Sequence, residues 1–165
     1  MTTPPNPIEN ALTLSDLAKM TQAQLDALYL AAQTPRISDM NGATNGIPLA
    51  GPTPASAIPF VPWKGKSFKP LNMVEGVGNN RIQMSPLAPE VNEFNFKFTL
   101  GDPIDGDNAV IVLDYNNIGN APAFRIIRDD IKKVNPTLFL GRMYQTTLHG
   151  FQFLLYFALE FPAST

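Results

Sequence analysis

The sequence contains no cysteine and a single histidine, His149. Disulfide bridges, thiol nucleophiles, zinc fingers and the common histidine-based metal cages are therefore excluded. Charged residues make up only 16% of the chain, against about 25% in typical globular domains, and the net charge is -2. Because such a chain lacks the basic surface that a phosphate backbone requires, we predict no nucleic-acid partner. We also predict no metal and no cofactor.

The chain is 165 residues long, which suits a single domain. Its start has neither the basic nor the apolar region of a secretory signal. The strongly apolar stretch Phe151–Phe161 is interrupted by Gln152 and Glu160, and it is shorter than the about 20 residues of a spanning helix. We expect a soluble, cytoplasmic protein without membrane insertion, with a flexible tail over residues 1–12 and one domain over residues 13–165.

Helical patterning occurs near the start of the chain. Thr21 and Gln24 have the spacing of a capping box, and apolar residues follow at helical spacing from Leu25. This pattern predicts two short helices, Ser15–Met20 and Gln22–Ala32. The long loop that follows is rich in turn-forming dipeptides, with a strand at Gly46–Leu49 as a further candidate.

From Trp63 onwards, apolar and polar residues alternate with the period of a β-strand. About seven short strands at regular spacing are typical of an antiparallel barrel or a sandwich. We therefore predict a mainly β protein, a single antiparallel barrel with short N-terminal helices. The predicted strands are Trp63–Phe68, Asn80–Ser85, the segment around Phe96, Ala109–Tyr115, Ala123–Val134, Thr137–Thr147 and Phe151–Phe161.

The last of these strands is apolar on both faces. Alternation places Phe151, Phe153, Leu155 and Phe157 on one face, which we expect to be interior. The opposite face also needs cover, either from the N-terminal helices or from a partner subunit. That apolar outer face is compatible with a homodimer.

Charged residues are dense between Arg125 and Lys133. Strand geometry turns either Arg128 or Asp129 inward, and a buried charge requires a partner. Arg142 or Tyr144 on the next strand could supply it. The alternative is a solvated hairpin with cross-strand pairs.

Three other motifs favour structural interpretations. Trp63 would close one end of the barrel, with Gly65 permitting a bulge or a close approach. The nearby lysines Lys64, Lys66 and Lys69 are interpreted as solvated, with binding of an anionic head group as the alternative.

The segment Gly76–Arg81 lacks the third glycine of a phosphate loop and predicts a tight turn into a strand. The acidic segment Asp102–Asn108 predicts a plain turn rather than a calcium site.

The order of these features resembles the lipocalin-like (calycin) barrels. The resemblance spans Gly46 to Phe161 and rests on the segments Pro62–Phe68, Gly78–Arg81, Ile127–Ile131 and Leu138–Tyr144. The chain is most similar in this respect to small bacterial proteins that have a Gly-x-Trp-x-Gly segment and a Leu-Gly-x-Met segment. It implies a barrel whose apolar interior holds a small hydrophobic molecule.

Three functions remain open from the sequence. The first is non-enzymatic binding of a fatty-acid-like, terpenoid-like or polyketide-like molecule inside the barrel. The second is a cofactor-independent cyclase, isomerase or lyase in the same cavity, with Asp129 or Tyr115 as the acid or base. The third is a structural protein whose aromatic residues only pack a core. The predicted ligand-binding residues are Trp63, Phe94, Phe96, Phe98, Arg125, Arg128, Met143, Tyr144, Phe153, Leu155 and Phe157.

Overall fold

The computed structural model describes residues 11–57, 62–117 and 119–162. Within these ranges, nine antiparallel strands form one nearly closed barrel, which confirms the predicted fold class. Helices α1 (Leu14–Ala18) and α2 (Gln22–Ala31) precede the barrel, and both begin with the capping box that their sequences encode. The strands are β1 (Gly42–Ala43), β2 (Asn45–Pro48), β3 (Trp63–Pro70), β4 (Glu75–Ile82), β5 (Val91–Gly101), β6 (Val110–Asp114), β7 (Ile127–Lys133), β8 (Leu138–Thr147) and β9 (Gly150–Glu160).

Two very short strands bring the ends of the sheet together. The sheet order is β1-β3-β4-β5-β6-β7-β8-β9-β2, and β1 and β2 are separated by Thr44 alone. This continuous segment therefore pairs with β3 on one side and with β9 on the other. The Thr44 hydroxyl donates to the Lys66 carbonyl at 2.8 Å and accepts from the Lys66 amide at 3.1 Å. Pairing at both sides nearly abolishes the exposed sheet edges.

The segment Gly76–Arg81 belongs to strand β4, so the tight turn predicted there is wrong. Its glycines provide space rather than a turn. A Cβ at Gly76 would lie 2.2 Å from the ring of Phe98, and one at Gly78 would lie 2.5 Å from the ring of Phe96. The missing side chains allow these two rings to approach the backbone of β4 closely, so packing explains the repeated glycine.

Two bulges interrupt the regular pairing of the strands. Between β4 and β5 the register shifts beside Phe94, which adopts a positive φ of 54° and stacks on Phe124. Between β8 and β9 the register shifts at Leu154. A bulge inserts an extra residue and reverses the alternation beyond it. Phe153 consequently lies on the outer face, whereas Leu155 and Phe157 lie inside, so the single interior face predicted for this strand is corrected.

One end of the barrel interior is filled by aromatic rings. Phe68 lies at the centre of this group, with ring centroids 5.4 Å from Phe96, 5.5 Å from Phe98 and 6.1 Å from Phe161. Phe139 contacts Phe161 edge to face. Such tilted and edge-to-face pairs are the favoured arrangements of aromatic side chains. This end of the barrel is therefore a packed core.

A second apolar cluster lies outside the barrel, beneath the helices. Leu17, Leu25 and Tyr29 are buried there against outward-facing residues of β8 and β9, including Tyr156 and Ala158. The helices of the same chain thus cover these residues of β8 and β9, as one of the two alternatives for that face predicts, and the homodimer stays a prediction. Leu12 also packs against this cluster, one residue before the predicted start of the domain, while residues 1–10 of the predicted tail lie outside the described residues.

No helix in the described ranges is both long and apolar enough to cross a membrane.

The core assignment makes a direct prediction for Phe96, which is 2% exposed. We expect Phe96→Ala to lower the free energy of unfolding by about 3–5 kcal/mol, since the barrel wall cannot collapse to fill the void. Chemical denaturation monitored by circular dichroism measures the change. Leu100→Ala serves as a control because Leu100 is 47% exposed on the same strand. A loss within about 0.5 kcal/mol for Phe96→Ala would contradict the packed core.

Candidate functional site

The other end of the barrel contains a cavity of about 140 Å³. It lies between β3, β4, β6, β7, β8 and β9, where the segment that follows β2 passes across the open end of the barrel. Most of its wall is apolar, and its polar groups are concentrated on the side formed by β3, β4, β7 and Tyr115, the residue that follows β6. The lining residues are Pro48, Ala55, Ser56, Trp63, Lys66, Asn80, Tyr115, Ile127, Asp129, Met143, Leu155 and Phe157.

Lys66 is the centre of the polar wall. Its Nζ atom donates to Asn80 Oδ1 at 2.8 Å and to the Tyr115 hydroxyl, and it lies 3.1 Å from Asp129 Oδ2. The Tyr115 hydroxyl donates to the same Asp129 oxygen at 2.9 Å, and the Trp63 indole donates to Asn80 Oδ1 at 3.0 Å. Three acceptors around one ammonium group match its three N–H bonds. The resting site is therefore a buried ammonium–carboxylate pair with its hydrogen bonds satisfied.

Local backbone features aim Lys66 into the barrel. Gly65 has a φ of 137° and lies at a register shift between β3 and β4, which confirms the predicted bulge. A Cβ at Gly65 would lie 2.3 Å from the Thr44 carbonyl, so the bulge also lets the closing strand approach closely. The hydrogen bonds of Thr44 then hold the Lys66 backbone. The same segment that closes the barrel therefore orients Lys66.

Aromatic rings surround the ammonium group. The Nζ atom lies 5.4 Å from the ring centroid of Trp63, 5.6 Å from Phe96, 5.2 Å from Tyr115 and 5.1 Å from Phe157. Each is within the about 6 Å at which a ring face attracts a cation. These rings stabilise the positive charge of the Lys66 ammonium group but, being apolar, do not hydrate it.

Burial has opposite effects on the two titrating partners of Asp129. It lowers the pKa of the Lys66 ammonium, an effect that the Asp129 carboxylate counteracts. It raises the pKa of the Tyr115 phenol, and Asp129 raises that pKa further. The Tyr115 phenol therefore stays neutral and donates a hydrogen bond to Asp129. The Lys66 ammonium gives up a proton more readily than that of an exposed lysine.

Asp129 points inward, as one of the two sequence alternatives predicts. In β7, Ile127, Asp129 and Ile131 are buried on the interior face, while Arg128 and Asp130 alternate with them. The partners of Asp129 are Lys66 and Tyr115, not Arg142 or Tyr144, so the predicted pairing is wrong. The reason is geometric, because Arg142 and Tyr144 lie on the outer surface of β8.

Six of the thirteen predicted site residues line the cavity. Phe96 and Phe98 lie in the aromatic core. Phe96 also reaches the edge of the polar wall, because its ring centroid lies 5.5 Å from that of Tyr115 and 5.6 Å from Lys66 Nζ. Phe94 packs on Phe124 near the bulge. The six lining residues are Trp63, Tyr115, Asp129, Met143, Leu155 and Phe157.

Four predicted site residues lie away from the cavity, and their assignment to it is corrected. Arg125 donates to the Asn120 carbonyl in the turn before β7. Arg128 pairs with Asp130 at 2.7 Å on the outer face. Tyr144 and Phe153 lie on that face too. Phe153 is turned outward by the bulge at Leu154, and Arg125 precedes β7 because that strand begins only at Ile127. Arg128 and Tyr144 point outward because they alternate with the inward-facing Asp129 and Met143.

The outer charged cluster fastens other elements to the barrel. The Arg142 guanidinium pairs with Asp26 of α2 at 3.0 Å and with Asp105 at 3.1 Å. It also lies against the rings of Tyr29, Phe153 and Tyr156. These contacts join α2 and the loop between β5 and β6 to the outer sheet surface, and the cluster does not line the cavity.

Lys66 and Asn80 are the two residues of the polar wall that are not among the predicted site residues. The interpretation of Lys66 as solvated is wrong, because Lys66 is 4% exposed and pairs with Asp129. A weak signal was present, since Lys66 lies two residues before Phe68 in β3 and Asn80 lies two residues before Ile82 in β4. In each strand the polar residue shares a face with a buried apolar one. That pattern indicates an interior polar group, although a lysine in a short strand is far more often solvated.

Comparison with known proteins locates the fold but not the activity. No family model matches the chain, and no curated protein matches it significantly. The chain is similar to a crystal structure of a protein from Thermomonospora curvata, with a TM-score of 0.61 and 18% sequence identity. The similarity covers 86% of this chain and 88% of that one. At 18% identity this similarity shows a shared barrel fold and no function, so the cavity itself provides the evidence for function.

Proposed function

We propose that this protein binds a small, uncharged, mainly apolar molecule inside the barrel, with one polar group of the ligand at the Lys66–Asp129 pair. The observation that carries the proposal is an apolar cavity of about 140 Å³ with a single satisfied ion pair in its wall. Apolar pockets with a few convergent polar groups are the usual form of small-molecule sites. The resemblance to lipocalin-like barrels supports the same function.

The volume limits the ligand. Sites for drug-sized molecules occupy about 300–1,000 Å³, whereas an engineered cavity of about 150 Å³ in another protein holds benzene. A compact ring fits the present cavity better than an extended acyl chain. Among the ligands expected from the sequence, the compact terpenoid-like or polyketide-like molecules are therefore favoured over fatty acids.

The charge balance limits the ligand further. Lys66 and Asp129 neutralise each other within the wall, and a net charge brought into an apolar cavity without a counterion is costly. Within the described residues, Tyr115 and Lys66 both contact Asp129 through Oδ2, which leaves its other oxygen for a hydrogen-bond donor on the ligand. A neutral alcohol, phenol or carbonyl compound meets these conditions.

Trp63 provides a direct assay because it is the only tryptophan and lines the cavity. We expect benzyl alcohol to change the Trp63 fluorescence saturably. Benzoate and protonated benzylamine, which have nearly the same shape, should bind at least about tenfold more weakly because each brings an uncompensated charge. Equal binding of benzoate and benzyl alcohol would contradict a neutral ligand.

A matched pair of variants locates the binding. Leu155→Phe fills the cavity and should reduce the affinity for benzyl alcohol at least tenfold, while Leu100→Phe adds the same ring at an exposed position and should leave it unchanged. If Leu155→Phe folds and binds as tightly as the wild type, the ligand does not occupy the cavity. If none of the three probes binds, the aromatic residues serve packing alone.

A further inference from the structure

Lys66 is the one lysine that lines the cavity within the described ranges, and its amine lies where a ligand's polar group would lie. Its side chain is 6% exposed, and that of Asp129 is 3% exposed. By contrast, Lys64 and Lys69 on the same strand are exposed. Lysine amines that are buried in apolar pockets beside an acid–base group are the usual nucleophiles toward carbonyl compounds.

We propose that Lys66 condenses with the carbonyl group of a small apolar aldehyde or ketone to form a Schiff base inside the barrel. This inference rests on the proposed function, since the carbonyl compound must first enter the cavity. It names a substrate class and a covalent step that reversible binding alone does not include.

The first step is a proton transfer between groups already in contact. Asp129 Oδ2 lies 3.1 Å from Lys66 Nζ and accepts one ammonium proton, which leaves a neutral amine and a neutral carboxylic acid. Entry of an apolar ligand favours this exchange, because a neutral pair is less destabilised than an ion pair when water is excluded. The lowered pKa of Lys66 also favours transfer of this proton to Asp129.

The second step forms the carbon–nitrogen bond. The amine attacks the carbonyl carbon, the carbon–oxygen π bond breaks, and an amine proton passes to the oxygen to give a carbinolamine. The neutral Asp129 then returns its proton to that hydroxyl group, which leaves as water as the nitrogen lone pair forms the C=N bond. Overall, one ammonium and one carbonyl yield one iminium and one water, so atoms and charge balance.

The surroundings suit the product as well as the resting state. The iminium is a cation at the position of the ammonium, beside the same carboxylate. Trp63, Phe96, Tyr115 and Phe157 keep their ring faces within 5.1–5.6 Å of the nitrogen atom. A site that stabilises the ammonium by these rings therefore also stabilises the iminium.

Reductive trapping with benzaldehyde and cyanoborohydride near neutral pH tests the proposal. We expect one benzyl group per chain, mapped by peptide mass spectrometry to Lys66. Labelling of Lys66 should exceed that of the exposed Lys69 by at least about tenfold, because the cavity holds the carbonyl group beside the Lys66 amine. An excess of benzyl alcohol should slow the labelling of Lys66 but not that of Lys69.

Variants at Lys66 and Lys69 test which lysine carries the label, and a second Lys66 variant is available if the first does not fold. Lys66→Arg retains the positive charge and should abolish the fast labelling, whereas Lys69→Arg should retain it. If Lys66→Arg fails to fold, Lys66→Met combined with Asp129→Asn removes both charges together and should also lose the fast label. Retention of the fast label in either folded Lys66 variant would overturn the proposal.

Failure of this inference is separable from failure of the proposed function. If benzyl alcohol changes the Trp63 fluorescence but Lys66 is labelled no faster than Lys69, the barrel binds ligands reversibly and the Schiff base is refuted. If benzyl alcohol neither binds nor protects Lys66, both proposals fail together.

Discussion

Asp129→Ala is expected to lower the free energy of unfolding by about 3–5 kcal/mol, because it leaves the Lys66 ammonium buried without an anionic partner. Asp129 is 2% exposed, and Lys66 is 4% exposed, so water cannot replace the lost carboxylate. The loss is large against the about 5–15 kcal/mol that stabilises a typical domain. Chemical denaturation near pH 7 measures it.

Two further variants separate the loss of the ion pair from the loss of side-chain volume. Lys66→Met combined with Asp129→Asn removes both charges and should recover much of the stability, since an apolar replacement of a buried pair is often nearly neutral. Glu93→Ala removes an exposed carboxylate of β5 and should change stability by no more than about 0.5 kcal/mol.

The pH dependence supplies a second readout for Asp129→Ala. Without the carboxylate, the pKa of Lys66 falls further below its value in the unfolded chain. A group whose pKa is lower in the folded state gives stability that rises with pH up to its unfolded pKa, about 10.5 for lysine. The deficit of the variant should therefore shrink between about pH 7 and pH 9. A variant as stable as the wild type at both pH values would show that Lys66 is not confined to the barrel.

Alkaline unfolding is expected to be abrupt, because all four tyrosines of the chain are buried. Burial raises the pKa of Tyr29, Tyr115, Tyr144 and Tyr156, so the folded protein keeps protons that the unfolded chain loses above about pH 10. Their contribution to stability is complete below the unfolded pKa and is lost as pH rises beyond it. Each contributes a slope of about 1.4 kcal/mol per pH unit, or about 5 kcal/mol per unit for the four.

Such a slope exhausts ordinary stability within one to three pH units above about pH 10. The lowered pKa values of Lys66 and Lys132 act in the opposite sense, but only up to about pH 10.5, where the unfolded chain loses the same protons. Tyrosinate absorption and circular dichroism, recorded on the same samples, measure the transition. We expect the four tyrosines to ionise in one step that coincides with loss of the sheet signal.

Tyr29→Phe is the matched control for the alkaline transition. The Tyr29 hydroxyl is buried and has no hydrogen-bond partner among the described residues, so its removal breaks no such bond. The variant should fold, and both the absorption step and the pH slope should fall by about a quarter. A tyrosine that titrates near pH 10 while the circular dichroism is unchanged would contradict the burial of all four side chains.

Local patterns in the sequence were sufficient for the secondary structure that depends on local physics. Thr13 with Asp16 and Thr21 with Gln24 satisfy backbone amides within one turn, so the helix starts are encoded within four residues. Period-two alternation in β6 and β8 is equally local. Several such strands with turn residues between them predict an antiparallel barrel or sandwich before any tertiary contact is known.

What the sequence by itself determined is therefore the β class, the helix starts and the candidates Asp129, Tyr115 and Trp63. Only the tertiary structure decided which side chains meet. The bulge at Leu154 turns Phe153 outward and Leu155 inward without a clear signal in composition, and closure through Thr44 decides that Lys66 turns into the barrel. The physical reason is that burial of Lys66 becomes favourable only when Asp129, from a distant strand, supplies a carboxylate at the same point.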